Sequence, residues 1–185
     1  MATKYIDKVS SSAEVENRQN AGGIGILNGT LVYNNGSAVV PVNASEVVAV
    51  TAGATLSPAT HGNRTVRIDA VAGGAFVLPA ATGSGVKYKV VLGTALTSAS
   101  VSVAAAGTDT FTGYSIQDDA GDTTPALAGV FPTVNGTTDT WTDAFTGGGG
   151  EIGNFFEAED IKTGLWLVRG WQSGVLDPAT PFSGS

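Results

Sequence analysis

Gly83-Ser84-Gly85 followed by Lys87 is the first place in this 185-residue chain where residue types and spacing suggest chemistry. Glycines let a backbone wrap a phosphate, and a lysine can neutralise it. A phosphate-binding P-loop needs Gly-x-x-x-x-Gly-Lys-Ser/Thr at a strand-to-helix turn. Here Val86 separates Gly85 from Lys87, and no Ser or Thr follows the lysine. The stretch "VKYKVVLG" also alternates with the period of a strand, so no helix N-terminus faces an anion. The spacing predicts a hairpin turn, with Pro79 closing the strand before it. "GGIGILNG" fails as a dinucleotide fingerprint in the same way, because the third glycine position counted from Gly23 is Asn28.

His61 is the single histidine. A Ser/His/Asp triad would need it, yet no Gly-x-Ser-x-Gly elbow exists and "SPATHGN" reads as a turn. Cysteine is absent, which excludes disulfides and thiolate metal sites. Asp118, Asp119 and Asp122 with Gly121 resemble part of a calcium loop, but no glutamate follows at the twelfth position. A solvated acidic loop is the other reading. Glu157, Glu159 and Asp160 contain a pair of carboxylates that glycoside hydrolysis would use. Glu157 and Glu159 share one strand face, about 7 Å apart by strand rise. Nothing else suggests a sugar cleft, so a charged ladder at a rim or interface is the expected reading. No cofactor, metal site or catalytic residue is expected.

The elements that would carry these groups are strands. "GIGILNGTLVYNNGSAVVPV" holds two hairpin signals, Asn28-Gly29 and Asn35-Gly36, and predicts a small meander over about 24–42 ending near Pro41. From Glu46, Val- and Thr-rich runs recur at close spacing: "EVVAVTA", "TVRIDAV", "AFVLPA", "VKYKVVLG" and "ASVSVAA". Short strands with such turn signals predict an all-β sandwich or barrel-like domain. Residues 117–150 predict long loops with short strands near Phe131 and Trp141. In the tail, Trp166, Val168 and Gly170 share one strand face, and Leu165, Leu167, Arg169 and Trp171 share the other. Both faces are largely apolar, so burial on both sides is expected. Residues 1 to about 22 predict an extended N-terminal arm, with a frayed terminus as the other reading, since a helix begun at Ser11 would run out at Gly22-Gly23. The expected organisation is 1–45, arm and meander, then 46–185, a β-rich core domain.

Composition narrows the partners. Only 14% of residues are charged, and glycine is 26 of 185. A typical globular chain has roughly 25% charged residues. Residues 1–89 carry net +2 and residues 90–185 net −9, giving −7 overall. That balance argues against nucleic acid, which needs a field of Lys and Arg. Met1–Lys8 lacks the apolar core of a secretion signal, and Ala70–Ala81 is far short of the roughly 20 residues a membrane helix needs. No membrane partner is expected. Seven of the 14 aromatics fall between 141 and 185, as a core or a subunit interface would require.

Several stretches together resemble tailed-phage capsid decoration (cement) proteins. The likeness is carried by "TAGATLSPATHGNRTVRIDAVAGGAFVLPAATGSGVKYKVVLGT" at 51–94, "DIKTGLWLVRG" at 160–170 and "ATPFS" at 179–183. Thr55, Leu56, His61, Asp69 and the run Leu78 to Gly85 match the first motif. Asp160, Ile161, Gly164, Trp166, Val168 and Gly170 match the closing one. The likeness covers roughly 46–183; residues 1–45 lie outside it and 117–150 differ. It implies a β-rich homotrimer seated on the outer surface of the capsid, at local threefold positions among subunits of the major capsid protein. Such a protein is made in the host cytoplasm and ends in the virion.

That reading makes the chain a structural protein and not an enzyme. Tyr5, Ile6 and Val9 are then candidate capsid contacts on the arm. Trp166, Val168, Trp171 and Phe182 are candidates for the core or the trimer interface. The alternative is a head-fibre or receptor-binding β module that grips host glycans. A β-sandwich hydrolase dependent on Glu157 or His61 is the third reading.

Overall fold

In the computed structural model the described residues are 24–27, 30–34, 39–41, 47–119, 126–144, 150–174 and 180–184. The chain divides into two compact units, residues 1–45 and 46–185. The first contains an antiparallel sheet of β1 (Ile24–Leu27), β2 (Thr30–Asn34) and β3 (Val39–Pro41) in the order β1-β2-β3. Leu27 lies opposite Thr30, the register that a two-residue connection gives.

The second unit is all-β and is built from two sheets. Its strands are β4 (Val47–Val50), β5 (Arg64–Ile68), β6 (Gly74–Val77), β7 (Lys87–Leu92), β8 (Val101–Ala104), β9 (Thr110–Asp119), β10 (Ala126–Pro132), β11 (Thr140–Asp143), β12 (Phe155–Lys162), β13 (Leu165–Gly174) and β14 (Phe182–Ser183). One short helix, α1 (Pro58–His61), lies between β4 and β5. Seven strands form one sheet in the order β10-β9-β13-β12-β7-β5-β4, and four form the other, β14-β11-β8-β6.

The chain shuttles between the sheets: β4, β5, β7, β9, β10, β12 and β13 lie in the larger one, β6, β8, β11 and β14 in the smaller, and between β4 and β5 Thr55 bridges to Val77 of β6. Each crossing returns the chain in its earlier direction. This is why β5 pairs with β7, β6 with β8 and β4 with β5 in parallel, while β7, β12 and β13 run antiparallel. The 83–85 turn is one such crossing. It takes the chain from β6 in the small sheet to β7 in the large one, not around a hairpin as its glycines suggested.

The two inner faces share one core. Val66, Ile68, Tyr88, Val90, Leu92, Phe111, Phe156, Trp166 and Val168 come from the large sheet; Phe76, Val101, Val103, Trp141 and Phe182 come from the small one. Trp141 spans the gap, with its ring 5.2 Å from Phe156 and its Nε1–H donating to Ser115 Oγ at 3.3 Å. The space for that indole is made by Gly170, where a Cβ would stand 2.8 Å from Trp141 Nε1. Parallel pairing of β9 with β13 depends on Gly113 at φ +147, where any side chain would run into the Val168 carbonyl. Burial alternates along β7, β12 and β13, the pattern of a sheet covered on one face. The expectation that β13 is buried on both sides is therefore corrected. Trp166, Val168 and Gly170 are buried inward, whereas Leu165, Leu167 and Trp171 are half-buried and Arg169 exposed on the outer face.

Candidate functional site

The large sheet turns an unusual outer face to its surroundings. Register aligns Val91 with Phe155, Phe155 with Trp171, Trp171 with Ile116 and Ile116 with Val130. An apolar row thus crosses five adjacent strands, about 19 Å at the usual strand spacing. Val130 at its end is 59% exposed. Directly beside it runs a polar row, Lys89, Glu157, Arg169 and Tyr114, in the same cross-strand order. Tyr114 is 41% exposed. Apolar rows of this length on one strand face, edged by charge, mark surfaces that meet something else.

The charges on this face are mostly matched in place. Lys89 Nζ lies 2.9 Å from Glu157 and 4.7 Å above the Phe155 ring, and Lys87 Nζ lies 3.3 Å from Glu159. Arg67 holds Asp69 through two guanidinium nitrogens, at 2.9 and 2.7 Å, which lowers the Asp69 pKa and raises that of Arg67. Glu157 and Glu159 are thus the middle of a Lys/Glu ladder. Among the described residues, Arg169 forms no ion pair. The second unit contains 13 acidic and six basic residues. Four of those six, Arg67, Lys87, Lys89 and Arg169, project from this face; Asp69, Glu159 and Glu157 match the first three, which leaves Arg169 outside these pairs.

Two buried carboxylates brace the ends of the sandwich. Asp160, 1% exposed, is held by the loop between β6 and β7. It accepts from the N–H groups of Thr82, Gly83 and Ser84 and from both hydroxyls of Thr82 and Ser84, at 2.6 to 3.0 Å. The glycine-rich turn therefore does cradle an anion, and the anion belongs to the chain itself. Burial pushes the Asp160 pKa up, but the donors at Ser84, Thr82 and Gly83 outweigh it and hold the carboxyl well below the usual range. The same burial, with Asp160 nearby, pushes the Tyr88 hydroxyl up to about 12.

Asp143 sits at the opposite end of the strands and is fully buried. It accepts from Gly150 N–H at 3.0 Å, Asn154 Nδ2 at 2.9 Å and Gln172 Nε2 at 3.2 Å. Gln117 Nε2 donates in turn to Gln172 Oε1 at 3.0 Å. Burial raises the Asp143 pKa against these hydrogen bonds, and the Glu151 charge raises it further. Asn154 also ties Ser173 through both its amide and its carbonyl. This network holds Gly150 and Asn154, just ahead of β12, against β11 and β13.

The remaining candidates fall as follows. Trp166, Val168 and Phe182 belong to the unit's own core, while Trp171 stands on the outer apolar row. Tyr5, Ile6 and Val9 lie outside the described residues, as does Asp122. Among the described residues no group of three or more His, Asp or Glu side chains could hold a metal ion, and no helix is long and apolar enough to cross a membrane. His61 closes α1: its Nδ1 accepts from Ser57 N–H at 3.0 Å, and Ser57 Oγ accepts from Thr60 N–H at 3.3 Å. Burial, with Arg64 nearby, lowers the His61 pKa. The outer row itself went unseen in the sequence, although Phe155, Trp171 and Val130 are each one alternation away from a core residue. No family model matches the chain, and no curated protein or solved structure shows significant similarity to it.

Proposed function

We propose that this chain is a virion structural protein: a capsid decoration protein that seats on the outside of a tailed-phage head and ties neighbouring major capsid subunits together. The observation that carries the reading is the outer face of the seven-stranded sheet. It carries an apolar row that includes Trp171, with Arg169 and Tyr114 directly beside it. Those three residue types dominate the binding energy of protein interfaces. The resemblance of residues 51–94 and 160–170 to decoration proteins points to the same use.

In this account the protein works by area. Apolar surface removed from water contributes roughly 25 cal/mol per Å² before ordering costs. A homotrimer bridging several shell subunits then multiplies a modest contact through avidity. Tyr5, Ile6 and Val9 serve as further shell contacts. Nothing in this role calls for a cofactor, a nucleic acid or a membrane.

The test is pelleting of the purified protein with expanded heads assembled without it. Decoration predicts saturable binding to those heads and none to glycans. The exposed Tyr114 and half-buried Trp171 also suit stacking on sugar rings. That is the observation favouring the alternative, a host-glycan receptor module. Binding to sugars or cells without binding to heads would replace the first reading with the second.

A further inference from the structure

We infer that the outer face of the seven-stranded sheet receives the Glu151–Ile152 turn of a second copy of this chain, with Ile152 on the Phe155–Trp171–Ile116 row and the Glu151 carboxylate on Arg169. The inference rests on the assembly reading above and assigns this face to the seam within the homotrimer, leaving the contact with the shell to the trimer's other surfaces.

Ile152 is 66% exposed, the most exposed large apolar side chain among the described residues. Its turn is rigid. Gly153 N–H donates to the Leu92 carbonyl at 2.9 Å, Leu92 N–H donates to that of Asn154 at 2.9 Å, and Leu96 N–H donates to that of Gly150 at 2.8 Å. Asp143 and Asn154 hold the turn from inside through the buried network. A knob fixed in this way loses little entropy on docking. The next most exposed aliphatic, Val134 at 65%, has Thr133, Asn135, Gly136 and Thr137 around it and no carboxylate to offer.

Charge selects the same pair of surfaces. Among the described residues neither Glu151 nor Arg169 has an ion pair. In the ladder Arg169 lies opposite Glu157, but that carboxylate pairs with Lys89. Within one copy Glu151 cannot serve Arg169. From Asn154 to Glu157, the residue opposite Arg169, the strand advances about 10 Å at 3.3 Å per residue. A self-matched contact centred on β13 would set Arg169 against Arg169. The contact is therefore between unlike surfaces, face to turn, and such contacts form a ring where the rotation closes and an open filament where it does not. A three-membered ring is the trimer of the proposed function.

The test measures the mass of the full chain in solution by light scattering at one fixed concentration. The wild-type protein is expected to be an oligomer. E151R, R169E and I152S are each expected to fall to single-chain mass while keeping a cooperative thermal transition, its midpoint lowered only by the lost contacts between copies. The double variant E151R/R169E, which restores opposite charges across the seam, is expected to regain the oligomer. Should R169E fail to fold, E151R and I152S, both on an exposed turn, decide the matter alone. Oligomers that survive E151R and I152S, or a wild-type protein that is a single chain, overturn the inference. Folded single variants that dissociate without repair in the folded double variant overturn the Glu151–Arg169 pairing. Pelleting with heads separates this from the broader reading. Surviving oligomers that still bind heads move the seam elsewhere and leave decoration standing, whereas a wild-type chain that binds no heads removes decoration itself.

Discussion

Ser84 Oγ donates to Asp160 Oδ2 at 2.7 Å, joining residues 76 positions apart. With the N–H groups of Thr82, Gly83 and Ser84 on the same carboxylate, this contact clips the β6–β7 crossing to the end of β12. Gly85 N–H to the Asp160 carbonyl and Gly164 N–H to the Ala81 carbonyl close the same corner.

Replacing Asp160 by Asn removes the charge and turns one of its two acceptor oxygens into a donor facing donors. Charge-assisted hydrogen bonds contribute about 1.5–3 kcal/mol each to charged groups, with strong overlap within one cluster. D160N is expected to lose about 2–4 kcal/mol at pH 7, read by urea denaturation. The Asp160 pKa is lower in the folded state, so its contribution is fully present above the unfolded pKa of about 4 and is lost as pH falls below it. D160N should lack that acid-dependent loss. An unchanged acid profile would remove the clip from the account.

Asp143 bends the curve the other way. Its folded pKa is raised, so the stability tied to its protonated form is present below pH 4 and lost as pH climbs through the folded value. Denaturation midpoints of wild type and D143N, compared from pH 4 upward, should diverge in slope, with the variant flatter. Parallel slopes would mean that Asp143 titrates normally.

Gly113 and Gly170 tolerate no side chain. G113A forces a methyl into the Val168 carbonyl at φ +147 and is expected to cost more than about 3 kcal/mol. G170A displaces Trp141 and should cost about 1–3 kcal/mol, with a changed near-UV signal from that indole. Thermal melts of both variants check this.

The surface ladder, by contrast, adds little. Lys89 and Glu157 are 44% and 39% exposed at the side chain. A double-mutant cycle on K89A and E157A should return less than about 1 kcal/mol. A larger coupling would assign this ladder a role in stability that its exposure does not predict.

Much of the fold was legible because side-chain alternation is local. Val66 and Ile68, or Lys87 and Lys89 against Tyr88 and Val90, announce strands with one inner face. The strand β9 was not legible. Gly113 breaks its pattern, and its partner β13 lies more than fifty residues away in parallel, so no nearby turn signals the pairing. The outer face of β13 was misread for a related reason. Leu165, Leu167 and Trp171 are as apolar as a core, and nothing local says whether a face meets its own chain or another. The Asp160 cradle left a trace in Thr82-Gly83-Ser84-Gly85, hydroxyls and glycines without a helix to follow. Its guest could not be named from the turn alone. Asp143 left a clearer one: it alternates in step with Trp141, which places a carboxylate inward.

The most direct measurement is light scattering of the purified full chain, before and after mixing with empty expanded heads. The account predicts a three-chain mass at the start and its disappearance from the free pool once heads are added. A stable single-chain mass that persists unchanged beside the heads would contradict it.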